Sequence, residues 1–281
     1  MTSADSEAAL FSVNAPLSSR DYLRAMWSRR EFAIALPVES MRSAHRTTLF
    51  GSLWHLGTPL LTVLTYYLVF GKLLKVDKGI DHYLIWLTIG VFSFRLSQAS
   101  VTAGSTSINA NNGLIRSMRF PRALLPASAV GSELMGFGFE LAIIGAMSFA
   151  AVGASRRWLV LPFLLVVHTA LNLGFAFVAA RLNDMISDVQ RLIPFAFRLL
   201  QYVSGVMFPI QALIEAEPGE HVVLAKVVAW NPLLRIIDTY RWVFLGTPLT
   251  ASDIARTSAI AALCVWFGFR YFRAAEHRYG Q

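Results

Sequence analysis

Charged side chains are scarce in this chain. Asp, Glu, Lys and Arg make up 15% of its 281 residues, whereas 55% of the residues are hydrophobic. Soluble domains carry about 25% charged residues, and the mean hydropathy of +0.52 also lies on the apolar side. This balance excludes an ordinary soluble domain and indicates an integral membrane protein.

The chain has a single cysteine and no nucleotide-binding loop. The one cysteine, Cys264, lies in an apolar run, so the chain can form no internal disulfide and no cysteine-based metal cluster. No Gly-x-x-x-x-Gly-Lys-Ser/Thr loop, which would cradle ATP phosphates, occurs. The first fifty residues hold no apolar segment with a cleavage site and predict no signal peptide. We therefore predict no catalytic residue, metal or cofactor on this chain itself.

Long apolar segments are what the sequence has in abundance. A helix that spans a bilayer needs about 20 mostly apolar residues. Six segments satisfy this requirement, and the third is long enough to tilt or to extend beyond the bilayer. They are Leu53–Leu74, Tyr83–Ser105, Ala123–Val152, Trp158–Ala180, Leu192–Ile214 and Ile254–Phe272. No internal repeat is evident, which argues against two inverted halves in one chain. We predict an all-α fold with six transmembrane helices.

The basic residues indicate the orientation. With the N-terminus inside, fifteen Lys and Arg residues lie in inner segments and nine in outer ones, although all four Lys fall outside. Inner loops of membrane proteins are the more basic ones, so both termini are predicted to be cytoplasmic. Because the cations are spread over the loops and form no single stripe, they do not predict binding to nucleic acid.

The N-terminal region mixes arginine with aromatic residues. Between Arg20 and Arg46 these include Tyr22 and Trp27, a composition typical of amphipathic helices in the membrane interface. Pro37 is expected to split the stretch into two helices. The alternative is a basic leader that only sets topology. We place the cytoplasmic tail and interfacial helices at residues 1–48, and the transmembrane domain at 49–281.

Residues 212–250 are apolar but interrupted. Val222–Trp230 and Pro232–Gly246 are too short to span, and Asn231-Pro232 separates them. Apolar runs of 10–14 residues are often re-entrant or interfacial. We predict two short re-entrant helices that enter and leave on the outer face and cover the exit. An outer loop with a surface helix is the alternative.

A polar, basic break separates the second and third apolar segments. Residues 109–122 read Asn-Ala-Asn-Asn-Gly-Leu-Ile-Arg-Ser-Met-Arg-Phe-Pro-Arg. A simple connection needs only a few turn residues, whereas this one is helix-length and carries three arginines. It is predicted to be a cytoplasmic helix on which a partner docks.

Four patches carry a family resemblance. They are Leu49-Phe50-Gly51-Ser52-Leu53-Trp54 with Pro59-Leu60; Asn112-Gly113-Leu114-Ile115 with Phe120-Pro121-Arg122; Asn183-Asp184 with Asp188; and Asn231-Pro232-Leu233 with Tyr240-Arg241. Their order and spacing, over about residues 38–275, resemble the membrane subunits of ABC-2 type exporters. The sequence most resembles the subset of these exporters that moves lipid-linked polysaccharides such as O-antigen, teichoic acid and galactan. The Arg-rich, Lys-poor composition favours a GC-rich genome and, within this subset, a galactan exporter.

This resemblance implies an assembly and a set of functional residues. It implies a homodimer in the bacterial plasma membrane, with membrane lipids around it and two separate cytoplasmic ATP-binding cassette subunits that bind ATP and Mg. A lipid-linked glycan would pass along the dimer interface. The residues implied to couple to the ATPase are Asn112, Gly113, Leu114, Ile115, Arg116, Arg119, Phe120, Pro121 and Arg122. Those of the outer gate are Asn231, Pro232, Tyr240 and Arg241.

Some polar and aromatic residues inside the spans are candidates for the substrate path. Arg95, Glu133 and Glu140 lie at similar depths, so Arg95 is predicted to pair with one carboxylate, either as a structural ion pair or as a polar patch on the path. Sugar rings pack on aromatic rings, which makes Tyr66, Trp86 and Phe94 path candidates, although such residues are more often core or lipid-facing. His168 and Asn172 share a helix face and predict hydrogen bonds between helices.

Two other functions stay open at this point. An ABC-2 exporter of a drug or small lipid would have the same fold but a narrower path. An integral-membrane enzyme acting on lipid-linked sugars would need acid–base residues at a membrane surface, such as Asp184 and Asp188, together with a metal or histidine. No such constellation is visible in the sequence.

Overall fold

The structure, a computed structural model, describes residues 19–28, 53–77, 79–117, 120–210, 228 and 230–279. Within these ranges all regular secondary structure is helical. The helices are α1 (Ser19–Ser28), α2 (Leu53–Tyr66, continued by a π-helical turn over Tyr67–Leu73), α3 (Tyr83–Ala110), α4 (Asn112–Ser117), α5 (Leu124–Val152), α6 (Leu161–Met185, after a 3-10 turn over Arg156–Val160), α7 (Val189–Val203), α8 (Pro232–Leu245), α9 (Ala251–Arg273) and a final 3-10 turn (Glu276–Arg278).

Three of these helices are long and apolar enough to cross a membrane: Tyr83–Ala110, Leu124–Val152 and Arg156–Met185, the last including the 3-10 turn. Helix α3 is the centre of the bundle, because α2, α5, α6, α7 and α8 all pack against it. Its side chains are buried on every face, among them Leu87, Ile89 and Phe92. A helix that is apolar all round requires such an environment.

Small residues allow helix α6 to approach α9 and α3 closely. A Cβ atom added to Gly174 would lie 2.5 Å from the carbonyl carbon of Cys264 on α9, and one added to Gly268 would overlap the carbonyl oxygen of Gly174. A Cβ on Gly104 of α3 would lie 2.6 Å from that of Ala176. Glycine and alanine are the residues that let backbones of membrane helices touch.

Two predicted elements differ from the structure. The fifth span was expected to be continuous over Leu192–Ile214, but α7 ends at Val203. The chain turns at Gly205, whose φ is +60°, and the Nδ2 of Asn231 donates to the Val203 carbonyl, 3.1 Å away, so a distant side chain supplies a hydrogen-bond donor at the helix end. The residues from 211 to 214 lie outside the described ranges.

The predicted docking helix over residues 109–122 is also shorter than expected. Asn109 belongs to the last turn of α3, and α4 comprises only Asn112–Ser117. Asn111 has a non-helical conformation, and its Nδ2 donates to the Ser107 carbonyl at 2.8 Å, which ends α3 at that point. The predicted second interfacial helix, after Pro37, lies wholly outside the described residues, as do Arg119 and all but two residues of the predicted re-entrant stretch Val222–Trp230.

Candidate functional site

Arg95 on α3 and Glu140 on α5 form an ion pair inside the bundle. The Nε of Arg95 donates to the Oε1 of Glu140 at 2.8 Å, and the Nη2 contacts the same oxygen. The glutamate side chain is 1% exposed and the arginine side chain 30%. The predicted pairing is therefore confirmed, and Glu140 is the carboxylate that Arg95 contacts. Glu133, two helical turns away on α5, is half-buried.

His168 joins three helices through its two ring nitrogens. Its Nε2 lies 2.8 Å from the Ser97 hydroxyl on α3, and its Nδ1 lies 3.2 Å from the Tyr240 hydroxyl on α8. Hydrogen bonding between helices was predicted here and is confirmed for His168. For Asn172 the prediction is wrong, because its side-chain amide is buried and has no hydrogen-bond partner among the described residues. Tyr240 itself is fully buried.

A cavity of about 580 Å³ lies where α3 begins, which we call the Tyr83 end of the bundle; the opposite end is the Ala110 end. The cavity brings together Trp86 and Arg241, which the sequence assigned separately to the path and to the gate. The Arg241 guanidinium lies 3.3 Å from the centroid of the Trp86 ring and donates to the Gly205 carbonyl at 2.8 Å. Other lining residues are Arg235, Asp238, Thr250 and Asp253.

Alternating charges, all but one of them lining this cavity, tie α8 to α9. Asp238 lies 3.4 Å from Arg241 and 3.9 Å from Arg235, measured between the charged atoms. Arg235 in turn lies 3.9 Å from Asp253, and Asp253 lies 2.6 Å from Arg256. Sequence reasoning missed this chain of five groups, because its members lie on two helices separated by a turn. The i,i+3 spacing of Arg235 and Asp238 was the signal available.

The Asn231-Pro232 pair begins α8. The Oδ1 of Asn231 accepts hydrogen bonds from the backbone N–H groups of Leu233 and Leu234, at 3.0 and 3.4 Å. Asparagine at the N-cap followed by proline at the first helical position is a strong helix start. Asn231 and Pro232, two of the four residues that the resemblance assigned to the gate, therefore have a direct structural role.

Helix α8 descends beside α3 from the Tyr83 end. Arg241 contacts Trp86 in the first turn of α3, whereas Pro232 lines an apolar groove of about 280 Å³ together with Val101, far along α3. Nine residues of helix account for about 14 Å of this descent. The start of α8 therefore lies deep in the bundle.

The other aromatic path candidates are mostly core residues. Phe94 is 3% exposed, and its ring packs edge-on against Phe197 with centroids 5.7 Å apart. Tyr66 is half-buried, and its hydroxyl accepts a hydrogen bond from the Nε2 of Gln201 at 3.2 Å. The structure thus does not collect Tyr66, Trp86 and Phe94 on one surface.

The predicted coupling segment at the Ala110 end has one buried and one exposed side. Ile115 and Pro121 are buried, and Leu114 and Phe120 pack on an apolar cluster of the N- and C-terminal segments. The remaining described members, Asn112, Gly113, Arg116 and Arg122, are half-buried or exposed. Short, partly anchored helices of this kind can present a rigid surface to another protein.

Glu276, near the C-terminus, joins this segment to helix α1. Its Oε1 accepts hydrogen bonds from the backbone N–H of Arg122 at 2.9 Å and from the Tyr22 hydroxyl at 2.7 Å. The Arg122 guanidinium donates to the carbonyl oxygens of Glu276 and Tyr279. We call this group, Tyr22, Arg122, Glu276 and Tyr279, the terminal junction. No motif in the sequence pointed to it, because its members are up to 257 positions apart.

The Tyr22 phenol stays protonated in the terminal junction. Burial raises the pKa of its hydroxyl well above the ordinary range, and the negative charge of Glu276 raises it further. The protonated hydroxyl can therefore donate to Glu276 while it accepts from the backbone N–H of Ala123, 3.2 Å away.

Among the described residues no group of three or more metal-ligating side chains occurs.

Comparison with known proteins decides the family. The ABC-2 type transporter family model matches residues 34–245. This chain belongs to the ABC-2 type transporter family. Members of this family are the membrane components of transport systems. The ABC-2 chain is therefore a multi-pass membrane protein and is not itself the catalytic part of its system.

Named relatives of this ABC-2 chain are export permeases. It is 22% identical over 253 residues to the O-antigen export system permease protein RfbA of Klebsiella pneumoniae, which covers 89% of this chain and 94% of the relative. It is also 22% identical over 262 residues to the RfbA protein of Myxococcus xanthus, covering 92% and 98% respectively.

The family match includes the coupling segment, the ion pair and α8 of this ABC-2 chain. Tyr22 and Glu276 lie on either side of the matched residues 34–245. The terminal junction therefore joins two flanking segments of the chain to the end of its coupling segment.

Proposed function

We propose that this chain is the transmembrane permease subunit of an ATP-driven exporter that moves a lipid-linked polysaccharide outward across the bacterial plasma membrane. The match to export permeases over about nine-tenths of both chains carries the proposal. A galactan is the glycan that the composition favours. The chain binds no nucleotide; ATP and Mg are held by two cytoplasmic ATP-binding cassette subunits, which work with two copies of the chain.

The topology that supports this function has six spans with both termini in the cytoplasm. The Ala110 end then faces the cytoplasm and the Tyr83 end faces outward. Helix α1 lies in the inner membrane interface, and α8 is re-entrant from the outer face. The start of α8 deep in the bundle, where Pro232 lines the same groove as Val101, supports a re-entrant helix, since backbone ends at that depth must be buried in protein.

Coupling occurs through α4 and the residues that follow it. The exposed side of this segment, with Gly113 and Arg116, docks on the ATPase. The terminal junction holds its far end at Arg122, so that movement of the segment is passed to α1 and α9. Arg241 at the outer end, and Asn231 and Pro232 deep in the bundle, position the gate helix.

The test is reconstitution of the chain with its ATP-binding cassette partner. The two proteins should co-purify, and in proteoliposomes the complex should hydrolyse ATP faster when the lipid-linked glycan is present and should move that glycan across the bilayer. A complex that is stimulated by a small drug or lipid but not by the glycan would contradict the substrate and leave the ABC-2 mechanism in place.

A further inference from the structure

Helix α7 carries an exposed stripe of residues that includes none of the proposed coupling or gate residues. Arg191, Phe195, Arg198 and Tyr202 follow one another at spacings of four, three and four residues, which places them on one helical face. Phe195 is 58% and Tyr202 49% exposed, and both arginines are exposed. We call these four residues the α7 stripe.

The opposite face of α7 fixes its position. Phe197 is buried, and its ring packs against Phe94 of α3. Phe94 lies near the middle of the 28-residue helix α3, which is long and apolar enough to cross a membrane. Arg198, the neighbour of Phe197, therefore lies at the level of the middle of the bundle and not at either end.

An exposed arginine at this level needs an explanation. Within the described ranges Arg198 has no hydrogen bond or ion pair. A cation in the hydrocarbon is costly, so such residues face a water-filled path or an anion. Leu192 and Leu199, which are also exposed, lie beside the stripe on α7.

We propose that the α7 stripe lines the route of the exported molecule and that Arg198 binds a phosphate group carried by that molecule. The proposal rests on the proposed function, because a lipid-linked glycan is joined to its lipid through phosphate. The chemistry of the stripe matches this occupant. A guanidinium is a strong donor to phosphate oxygens, and Phe195 and Tyr202 offer rings for the apolar faces of sugars.

The direct test is phosphate binding by the chain with its ATPase partner in nanodiscs of phosphatidylcholine. Farnesyl diphosphate, a soluble lipid diphosphate, should bind in a calorimetric titration, and Arg198→Gln should weaken its binding about tenfold or more through loss of a charge-assisted hydrogen bond. Arg198→Lys should retain part of the affinity. Farnesol, which lacks phosphate, should be insensitive to Arg198→Gln. The matched control is Arg270→Gln, an exposed arginine on α9 outside the stripe, which should bind like wild type.

Inorganic pyrophosphate separates the two sources of phosphate. Binding that depends on Arg198 but is weaker than for farnesyl diphosphate supports recognition of a lipid-linked phosphate, and equal binding supports recognition of phosphate alone. Unchanged affinity of Arg198→Gln for farnesyl diphosphate would overturn the proposal. The proposal would also be overturned if a cysteine at position 198 resisted water-soluble thiol reagents and Arg198→Gln caused the two copies of the chain to dissociate. The stripe would then be a protein interface. Export of glycan by the wild-type complex is scored separately, so failure of the α7 stripe and failure of the proposed function are distinguishable.

Discussion

The backbone N–H of Arg122 donates a hydrogen bond to the carboxylate of Glu276, 2.9 Å away and 154 positions later in the chain. The same carboxylate oxygen accepts from Tyr22. One side chain thus connects the end of the coupling segment, helix α1 and the C-terminal turn. The terminal junction therefore holds both terminal segments of the chain to the end of this segment.

Loss of Glu276 should loosen the terminal junction. Glu276→Ala leaves the Arg122 N–H and the Tyr22 hydroxyl without their acceptor, and should lower the free energy of unfolding by about 1–3 kcal/mol. Glu276→Gln keeps one oxygen acceptor and should cost less. The measurement is thermal unfolding in detergent, with ATP-driven export as a second readout. Asp188→Ala, which removes an exposed carboxylate, is the control; equal effects of the two alanine variants would contradict the role of Glu276.

Arg95 and Glu140 should show energetic coupling. In a double-mutant cycle with Arg95→Gln and Glu140→Gln, each single change leaves an uncompensated buried group, and the double variant should be more stable than the sum of the two predicts. A coupling energy of about 0.5–3 kcal/mol is typical of contacting residues. The exposed pair Arg191 and Asp188, 3.8 Å apart, should give a smaller value. Additive effects at Arg95 and Glu140 would refute a direct pair.

The planar guanidinium of Arg241 should not be replaceable by lysine. Arg241→Lys loses the stack on Trp86 and the donor to the Gly205 carbonyl, and should cost about 1–3 kcal/mol in unfolding free energy. Arg256→Lys is the matched control, because the Arg256 side chain is 55% exposed and needs only its charge to contact Asp253. If both lysine variants melt like wild type, the cavity at the Tyr83 end does not depend on the Arg241 geometry.

A methyl group at Gly268 should disturb the contact between α6 and α9. Gly268→Ala places its Cβ on the carbonyl oxygen of Gly174, and the required backbone shift should destabilise the chain by about 1–3 kcal/mol. Gly138→Ala is the control, because nothing lies within 4 Å of a Cβ at that position; its stability should be unchanged or higher. Thermal unfolding of both variants decides the matter, and a neutral Gly268→Ala would show that the helices can separate without cost.

Single cysteines should report the orientation. In a Cys264→Ala background, Ser117→Cys on α4 should react only from the cytoplasmic side and should be shielded when the ATPase subunit binds. Pro248→Cys, in the exposed turn after α8, should react only from outside. Impermeant thiol reagents on intact cells and inverted vesicles provide the measurement. Labelling of both positions from one side would contradict the proposed topology.

The helical class, the membrane setting and the start of α8 were accessible from local sequence. Runs of about 20 apolar residues predict spans because the bilayer fixes their length, and Asn231-Pro232 predicts a helix start because capping is a local interaction. The pairing of Arg95 with a carboxylate also followed, since an unpaired charge in the bundle is costly. The choice of Glu140 over Glu133, which lies two turns away on α5, depended on the height of α5 relative to Arg95 on α3.

Long-range geometry decided the remaining features. The end of α7 at Val203 receives a hydrogen bond from Asn231, 28 positions later. The terminal junction depends on a hydrogen bond between Tyr22 and Glu276, which are 254 positions apart. Trp86 and Arg241 form one site only because α8 packs beside α3 in the folded chain. Composition and periodicity record which residues prefer apolar surroundings and which local turns they form. They contain no distances between segments, which only the packing of helices against one another determines.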